Sequence, residues 1–308
     1  MDWEHKSKPS TPSKNHSELT EPLIIKPAVR DHYLRIDAHQ HFWRYDPVNY
    51  DWITTDMAVI QKDFLPAHLE PILQQSGFDG CVAVQAQQSE EETHFLLRLA
   101  DDHEFIRGVV GWVDLQAGDL EQRLEHYSGY PKLKGFRHVL QGEPKRDIML
   151  SPAFVNGIDQ LQRFGFTYDI LIYPDQLNFI KKLVAQFPSQ RFIVDHIAKP
   201  QIAKGYIKEW KDDMEQLAKH QNVFCKISGM VTEADWKNWK KEDLHPYLDI
   251  VAHTFGVDRL AFGSDWPVCL VAASYAEVVN IVEDYFSSFS TLEKEKVFGK
   301  NAIDFYKL

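Results

Sequence analysis

Eight short hydrophobic runs, rich in β-branched residues, recur along the chain and are separated by longer amphipathic stretches. Their length and composition are typical of buried strands. The predicted strands are Leu34–Ala38, Gly80–Gln85, Ile106–Val113, Leu133–His138, Thr167–Ile172, Arg191–Asp195, Val223–Ser228 and Arg259–Gly263. The stretches between them carry the apolar spacing of helices that pack one face on a core. The predicted helices are Pro66–Ser76, Glu90–His103, Asp119–Tyr127, Pro152–Phe164, Pro174–Phe187, Ile207–His220, Leu244–Phe255 and Tyr275–Phe286, with a closing helix near Leu292–Tyr306.

The order of these elements predicts the fold. Strand–helix alternation favours parallel strands joined by crossover helices, and eight such units close into a barrel. We therefore predict an α/β fold, a single (β/α)8 TIM-type barrel. The alternative is a doubly wound open sheet, which would normally carry a glycine-rich phosphate turn after its first strand. Here the first strand ends in His-Gln-His, residues 39–41.

Several helix starts carry recognisable signals. Pro66, Pro152 and Pro174 stand where a first-turn proline is tolerated, because the missing N–H has no partner there. Ser151, immediately before Pro152, is a predicted N-cap. These signals fix the helix boundaries more firmly than the periodicity does.

The N-terminal segment differs in composition from the rest. Residues 1–30 are rich in Lys, Ser, Pro and Glu, and we predict a disordered or extended flexible tail there, with the barrel over residues 31–308. The segment lacks the apolar core of a secretory signal. No run of 18 apolar residues occurs in the chain, so no membrane span is expected and a cytoplasmic location is predicted.

Composition and charge limit the kinds of binding partner that are expected. The 308 residues carry a net charge of −11, which gives no basic face for nucleic acid. Three scattered cysteines, Cys81, Cys225 and Cys269, are expected to be buried small hydrophobes in a reducing compartment. A small-molecule partner is therefore expected, with no nucleic acid and no membrane, and homo-oligomer formation stays open.

Candidate chemistry lies at the ends of the strands, where TIM barrels build their active sites. His39 and His41 follow strand one and share a face, so their imidazoles can bind a metal or polarise a carbonyl. His196, after strand six, adds a third imidazole. Asp265, after strand eight, is placed as a general base. Lys199 could pair with an anionic or polyhydroxylated substrate, or could be an exposed surface lysine.

Other strand ends supply candidate substrate contacts. Arg137 and His138 alternate faces at the end of strand four, and His138 is the better candidate for the barrel mouth. The further candidates are Gln85, Gln87, Trp43 and Trp266, and Trp52 could also wall the pocket. For each of these, core packing or loop anchoring is at least as good an explanation.

Five motifs in this order resemble the amidohydrolase superfamily, in particular its amidohydrolase-2 group, which includes sugar-lactone and pyrone-dicarboxylate lactonases. The similarity spans about residues 34–308. The set resembles the L-fuconolactonase and L-rhamnonolactonase branch. The motifs are IDAHQHFW, GFRHVLQGEP, VDHIAKP, CKISGMVTEADW and FGSDWPVCLVAASY.

The resemblance implies roles for these residues. His39, His41, His196 and Asp265 match the superfamily's core site. Binuclear members use a carboxylated lysine at the end of strand four, where this chain has Arg137 and His138, which argues against a two-metal centre. No cofactor is strictly required. If a metal is present, we expect one divalent ion on His39, His41 and His196, and zinc is preferred because of its affinity for nitrogen.

The predicted function is hydrolysis of a sugar-acid lactone, with Asp265 assisting attack of water on the ring carbonyl. A neutral six-carbon deoxysugar lactone is favoured over a dianionic pyrone, because only Arg137 and Lys199 offer cations. Two alternatives stay open: a metal-dependent decarboxylase of the same superfamily, and a non-catalytic sugar-acid binding protein.

Overall fold

The computed structural model describes residues 33–308, so the tail predicted over residues 1–30 lies outside the described residues. Eight parallel strands form one sheet in sequential order, which confirms the predicted barrel. The strands are β1 Ile36–Gln40, β2 Gly80–Val84, β3 Ile106–Gly111, β4 Leu133–His138, β5 Thr167–Ile170, β6 Phe192–Val194, β7 Val223–Ile227 and β8 Leu260–Phe262.

The barrel closes at the carboxyl ends of β1 and β8. Gln40 and Trp266 form a parallel bridge, and the backbone N–H of His41 donates to the Trp266 carbonyl at 2.7 Å. The N–H of Asp265 donates to the His39 carbonyl at 2.8 Å. These bonds fix the segment after β8 directly against the two histidines that follow from β1.

The helices lie between the strands as the periodicity predicted. They are α1 Pro66–Gln75, α2 Glu90–Asp102, α3 Leu120–Tyr127, α4 Pro152–Phe164, α5 Leu177–Val184, α6 Lys208–Leu217, α7 Met230–Glu233, α8 Lys241–Phe255, α9 Tyr275–Tyr285, α10 Thr291–Glu295 and α11 Asn301–Tyr306. Ser151 caps α4 as predicted, since its side chain accepts the Phe154 N–H. The short helix α7 was not predicted.

The closing helix is interrupted, which the apolar spacing did not reveal. A π-helical turn, Lys296–Lys300, separates α10 from α11. A Cβ on Gly299 would lie 1.8 Å from the Leu34 carbonyl oxygen, so this turn packs its backbone against the segment that enters β1. Only glycine permits that approach.

The core has two parts. The larger packs the outer faces of the strands against the helices, and the three cysteines are buried and free in it, as expected. The smaller joins alternate strand residues, among them Val82, Val110 and Ile193, to Phe305 and Tyr306 of α11. Within the described residues, no helix is both long and apolar enough to cross a bilayer.

Candidate active site

Two imidazoles converge where β1 ends. The Nε2 atoms of His39 and His41 lie 3.3 Å apart, and both side chains are buried. His41 Nδ1 lies 2.7 Å from the Val84 carbonyl oxygen. A carbonyl oxygen only accepts, so Nδ1 carries the hydrogen and Nε2 is the atom directed at the site. The end of β2 therefore sets the orientation of a ring that β1 supplies.

One carboxylate oxygen faces all three predicted imidazoles. Asp265 Oδ1 lies 3.3 Å from His41 Nε2, 3.9 Å from His39 Nε2 and 3.8 Å from His196 Nε2. The Asp265 backbone is left-handed, with φ 57°, in a region that aspartate tolerates better than most residues. The structure thus brings together the four residues for which a catalytic role was predicted.

Asp265 stays ionised near neutral pH despite its burial. Burial raises its pKa, but the electrostatic influence of His196 and the hydrogen bond with His41 outweigh this effect and bring the pKa below its ordinary 3.8. Both nitrogens of His41 face an oxygen, the Val84 carbonyl at Nδ1 and the Asp265 carboxylate at Nε2. A metal ion bound at Nε2 would lie between this ring and the Asp265 carboxylate.

His196 begins an unusual segment. Residues 196–199 all have left-handed backbone angles, with φ between 49° and 60°. Its Nδ1 lies 2.9 Å from the Ser228 hydroxyl oxygen. A Cβ on Gly229 would lie only 2.6 Å from the same nitrogen. Burial brings the pKa of His196 well below 6.5, so the ring is neutral near pH 7.

A buried network of charges lies behind the imidazoles. Lys226 Nζ is 2.5 Å from Asp169 Oδ2 and 2.9 Å from Asp195 Oδ1, with no exposure of any of the three side chains. It is also 3.1 Å from His39 Nδ1, and the Asp195 carboxylate is 3.3 Å from that nitrogen. Burial, and then the Lys226 charge, hold the pKa of His39 well below 6.5. His39 is therefore a neutral ring in a fixed position.

Arg137 and His138 exchange the positions that were favoured for them. Arg137 lines the cavity: its Nη1 is 3.0 Å from Asp195 Oδ2 and 3.3 Å from His39 Nε2. His138 instead packs its ring on Phe154 of α4 and bonds Glu143 at 2.7 Å. Adjacent strand residues point to opposite faces of the sheet, but the sequence alone does not show which of the two faces is inward. The register pairs Arg137 with Asp169, so both point into the barrel.

An open cavity of about 700 Å³ lies above these groups. His41, His196, Asp265, Arg137, Lys199 and Gln87 reach it among the predicted residues, as does Trp52. Aromatic and polar side chains that the sequence analysis did not select complete the wall. They are Asn49, Asp51, Gln88, Gln141, Tyr173, Thr232, Glu233 and Trp236.

The remaining predicted contacts lie behind this wall. Gln85 is fully buried and donates to the Arg137 carbonyl at 3.0 Å, while the Arg137 guanidinium bonds the Gln85 carbonyl. Trp43 is buried in contact with the His41 ring. Trp266 packs on Phe64. The structure does not bring these three side chains to the cavity surface.

Lys199 is not a free cation. Its Nζ lies 3.2 Å from Glu233 Oε1, and both side chains are largely buried in the cavity wall. Glu233 ends α7, which the hydrophobic pattern did not predict. The only sequence signal for Glu233 was its place in the CKISGMVTEADW motif.

The donor set fits one divalent ion. Ligands of a tetrahedral zinc ion lie about 3.4 Å apart, given bonds of about 2.0–2.1 Å. His39, His41 and Asp265 offer two nitrogens and an oxygen that lie 3.3, 3.3 and 3.9 Å apart. A second cluster, His39, Asp195 and His196, shares His39, and its Asp195 is already paired with Lys226 and Arg137. The Arg137 guanidinium beside His39 disfavours a second cation.

The fold and this site define the class of protein. The model of the amidohydrolase family matches residues 36–308, and the chain belongs to that family. Its members typically bind a divalent metal. Among characterised relatives, the chain is 40% identical to an L-fucono-1,5-lactonase of Burkholderia multivorans over 286 residues, which covers 89% of this chain and 96% of the relative. An L-fucono-1,5-lactonase of Burkholderia ambifaria is 36% identical, with the same coverage. The chain is thus a lactone-ester hydrolase of the amidohydrolase superfamily.

A solved structure agrees with the fold in detail. An amidohydrolase from Burkholderia multivorans, crystallised with bound zinc, superposes with a TM-score of 0.87 at 40% identity and covers 89% of this chain and 99% of its own. That protein holds zinc.

Proposed function

We propose that the protein hydrolyses the lactone of a six-carbon deoxysugar acid, of the L-fucono- or L-rhamnonolactone type. The observation that carries the proposal is Asp265, an ionised carboxylate at the floor of a cavity of about 700 Å³. It faces His41 and His196 at 3.3 and 3.8 Å. The lactonase names of two relatives at 36–40% identity support the reaction class.

Asp265 acts as the general base in the proposed mechanism. It accepts a proton from water, whose oxygen attacks the ring carbonyl carbon. His196, at the cavity surface, stabilises the negative charge that develops on the carbonyl oxygen. The bond between this carbon and the ring oxygen then breaks. Asp265 returns its proton to the leaving alkoxide, and the open-chain acid ionises.

One divalent ion per chain, with zinc preferred, is proposed on His39, His41 and Asp265. This set differs from the three imidazoles expected from the sequence, because His196 clusters with His39 and Asp195, whereas His41 clusters with His39 and Asp265. A bound ion would supply Lewis-acid polarisation of the carbonyl. Elemental analysis of the purified protein checks the count, and two equivalents per chain would contradict it. A cytoplasmic location, a role in L-fucose or L-rhamnose catabolism and homo-oligomerisation stay predictions.

A panel of lactones tests the function. We expect proton release with the highest kcat/KM on fucono- or rhamnonolactone, a lower value on galactonolactone, and the lowest on pyrone-dicarboxylate lactone. Carbon dioxide release from an aromatic acid, assayed in parallel, would instead indicate a decarboxylase. Failure to open any aldonolactone above the uncatalysed rate would refute the proposal.

A further inference from the structure

The cavity wall contains two cations, and each is already paired with a carboxylate. Arg137 Nη1 lies 3.0 Å from Asp195 Oδ2, and Lys199 Nζ lies 3.2 Å from Glu233 Oε1. Among the lining side chains of residues 33–308, no other lysine or arginine is present. Asp51 and Asp265 add carboxylates to the same wall. A substrate carboxylate would therefore meet no uncommitted lysine or arginine among these lining side chains.

The two pairs differ in how deeply they are built into the barrel. The Arg137–Asp195 pair belongs to the buried network that holds His39, so its geometry serves the imidazoles. The Lys199–Glu233 pair joins the segment after β6 to the end of α7, and its side chains are 16% and 20% exposed. Lys199 is thus the one lining cation that a ligand could engage if Glu233 did not hold it.

We propose that Glu233 is a specificity-determining residue: by holding Lys199, it makes the cavity accept neutral lactones and reject lactones that carry a carboxylate. This inference rests on the proposed lactonase function. An ion pair presents a dipole to polyhydroxylated ligands and a weak field to anions, whereas a free ammonium in a partly desolvated wall would attract an anion. The chain thus carries a latent anion site that one carboxylate neutralises.

The variant Glu233→Gln tests this directly. It keeps the size of the side chain and one oxygen acceptor for Lys199, and it removes only the charge. The substrates are galactono-1,4-lactone and galactaro-1,4-lactone, in which a carboxylate replaces the terminal hydroxymethyl group. We expect the ratio of kcat/KM values, galactaro- over galactonolactone, to rise about tenfold, as for a gain of one screened charge interaction. Since the interaction is electrostatic, the gain should shrink at high salt.

Glu215→Gln is the matched control. It removes the same charge from an exposed pair on α6, where Glu215 lies 3.7 Å from Lys211. The substrate ratio of this variant should equal that of the wild type. An equal loss on both substrates in Glu233→Gln would mean that Glu233 only supports the fold, and an unchanged ratio would also overturn the inference.

A second variant covers the case in which Glu233→Gln does not fold. Lys199→Met leaves Glu233 as an unpaired anion, so the same ratio should fall about tenfold below wild type. A ratio equal to wild type or above it would refute the role of the pair. If wild type opens no lactone at all, the proposed function fails by itself. Calorimetric binding of the galactarate dianion, about tenfold tighter in Glu233→Gln than in wild type, then decides the inference.

Discussion

Asp265 combines a strained backbone with a carboxylate that remains charged inside the protein. Its left-handed φ of 57° turns the side chain toward the imidazoles, and its N–H bond to the His39 carbonyl holds the turn in place. Burial opposes the charge, but the neighbouring histidines outweigh this opposition. A group that is ionised over the whole neutral range suits a base that must be ready before substrate binds.

Asp265→Asn should therefore lower the catalytic rate and leave the fold intact. Asparagine tolerates the left-handed backbone, so the turn should persist. Loss of the base should lower kcat by about two to four orders of magnitude. The melting temperature should change little. Asp159→Asn, an exposed change on α4, is the control for activity and stability. An Asp265→Asn enzyme with near-full activity would remove this residue from the mechanism.

The limits of sequence-based prediction are clearest among individual side chains. The positions of the predicted strand ends were enough to select His39, His41, His196 and Asp265, because the carboxyl ends of parallel strands meet at one edge of the barrel. Glu233 could not be found in this way, since its partner Lys199 is 34 residues away in another loop. Alternation alone also could not choose between Arg137 and His138, because it does not say which face is inward.

At the scale of elements, the loop after β7 holds the β6 histidine in position by close packing. Gly229 is left-handed, with φ 63°, and leaves no room for a Cβ against the His196 ring. The periodicity of α6 and β7 was readable from sequence, and both were predicted near their observed bounds. The glycine contact was not, because it depends on how two separate loops approach each other.

Gly229→Ala should therefore displace His196. A left-handed alanine costs about 1–2 kcal/mol by itself, and the clash adds to this. Gly205→Ala is a matched control, because Gly205 has φ 65° but open space where a Cβ would lie. Both variants should lose stability in urea denaturation, but only Gly229→Ala should also lose kcat. Equal activity in the two variants would contradict the packing argument.

Glu92, on α2, joins two loops of the cavity mouth. Its Oε1 accepts the N–H groups of Ala86 and Gln87, and its Oε2 accepts the Tyr50 hydroxyl at 3.0 Å. Burial raises its pKa from 4.5 to about 7, although these donors oppose the shift. The folded state thus binds this proton more tightly than the unfolded state does.

The raised pKa of Glu92 makes the unfolding free energy depend on pH. The stabilisation from the protonated Glu92 carboxyl is fully present below pH 4.5 and is lost as the pH rises through about 7. Between pH 5 and pH 8.5 the wild type should lose about 2–3 kcal/mol of unfolding free energy from this group. Glu92→Gln, which is neutral at every pH, should lack that component. Parallel pH profiles of the two proteins in urea denaturation would refute the assignment.

Across the whole molecule, the barrel interior changes from apolar to ionic along its axis. Phe305 and Tyr306 of α11 lie near the amino ends of the strands, where Lys134 of β4 donates to the Lys307 carbonyl at 2.8 Å. The Tyr306 hydroxyl then donates to Asp169 at 2.7 Å, and Asp169 pairs with Lys226. A continuous line of contacts therefore runs from the last helix to His39.

Lys226→Met should break this line at its centre. The substitution leaves two buried carboxylates, Asp169 and Asp195, without their shared cation, and we expect a loss of about 3–5 kcal/mol near pH 8. The pKa of Asp169 is already raised to about 6 by burial and should rise further in the variant. Its protonated form should then relieve part of the penalty, so the loss should be smaller at pH 5.

Urea denaturation at both pH values measures this difference against Lys296→Met. That control removes a half-exposed lysine from its pair with Asp258 and should change stability by less than about 0.5 kcal/mol. A pH-independent loss would show that Lys226 contributes packing alone. A loss below about 1 kcal/mol at pH 8 would contradict the predicted role of Lys226, and would show that Arg137 on Asp195 and the Tyr306 hydroxyl on Asp169 compensate the two carboxylates without it.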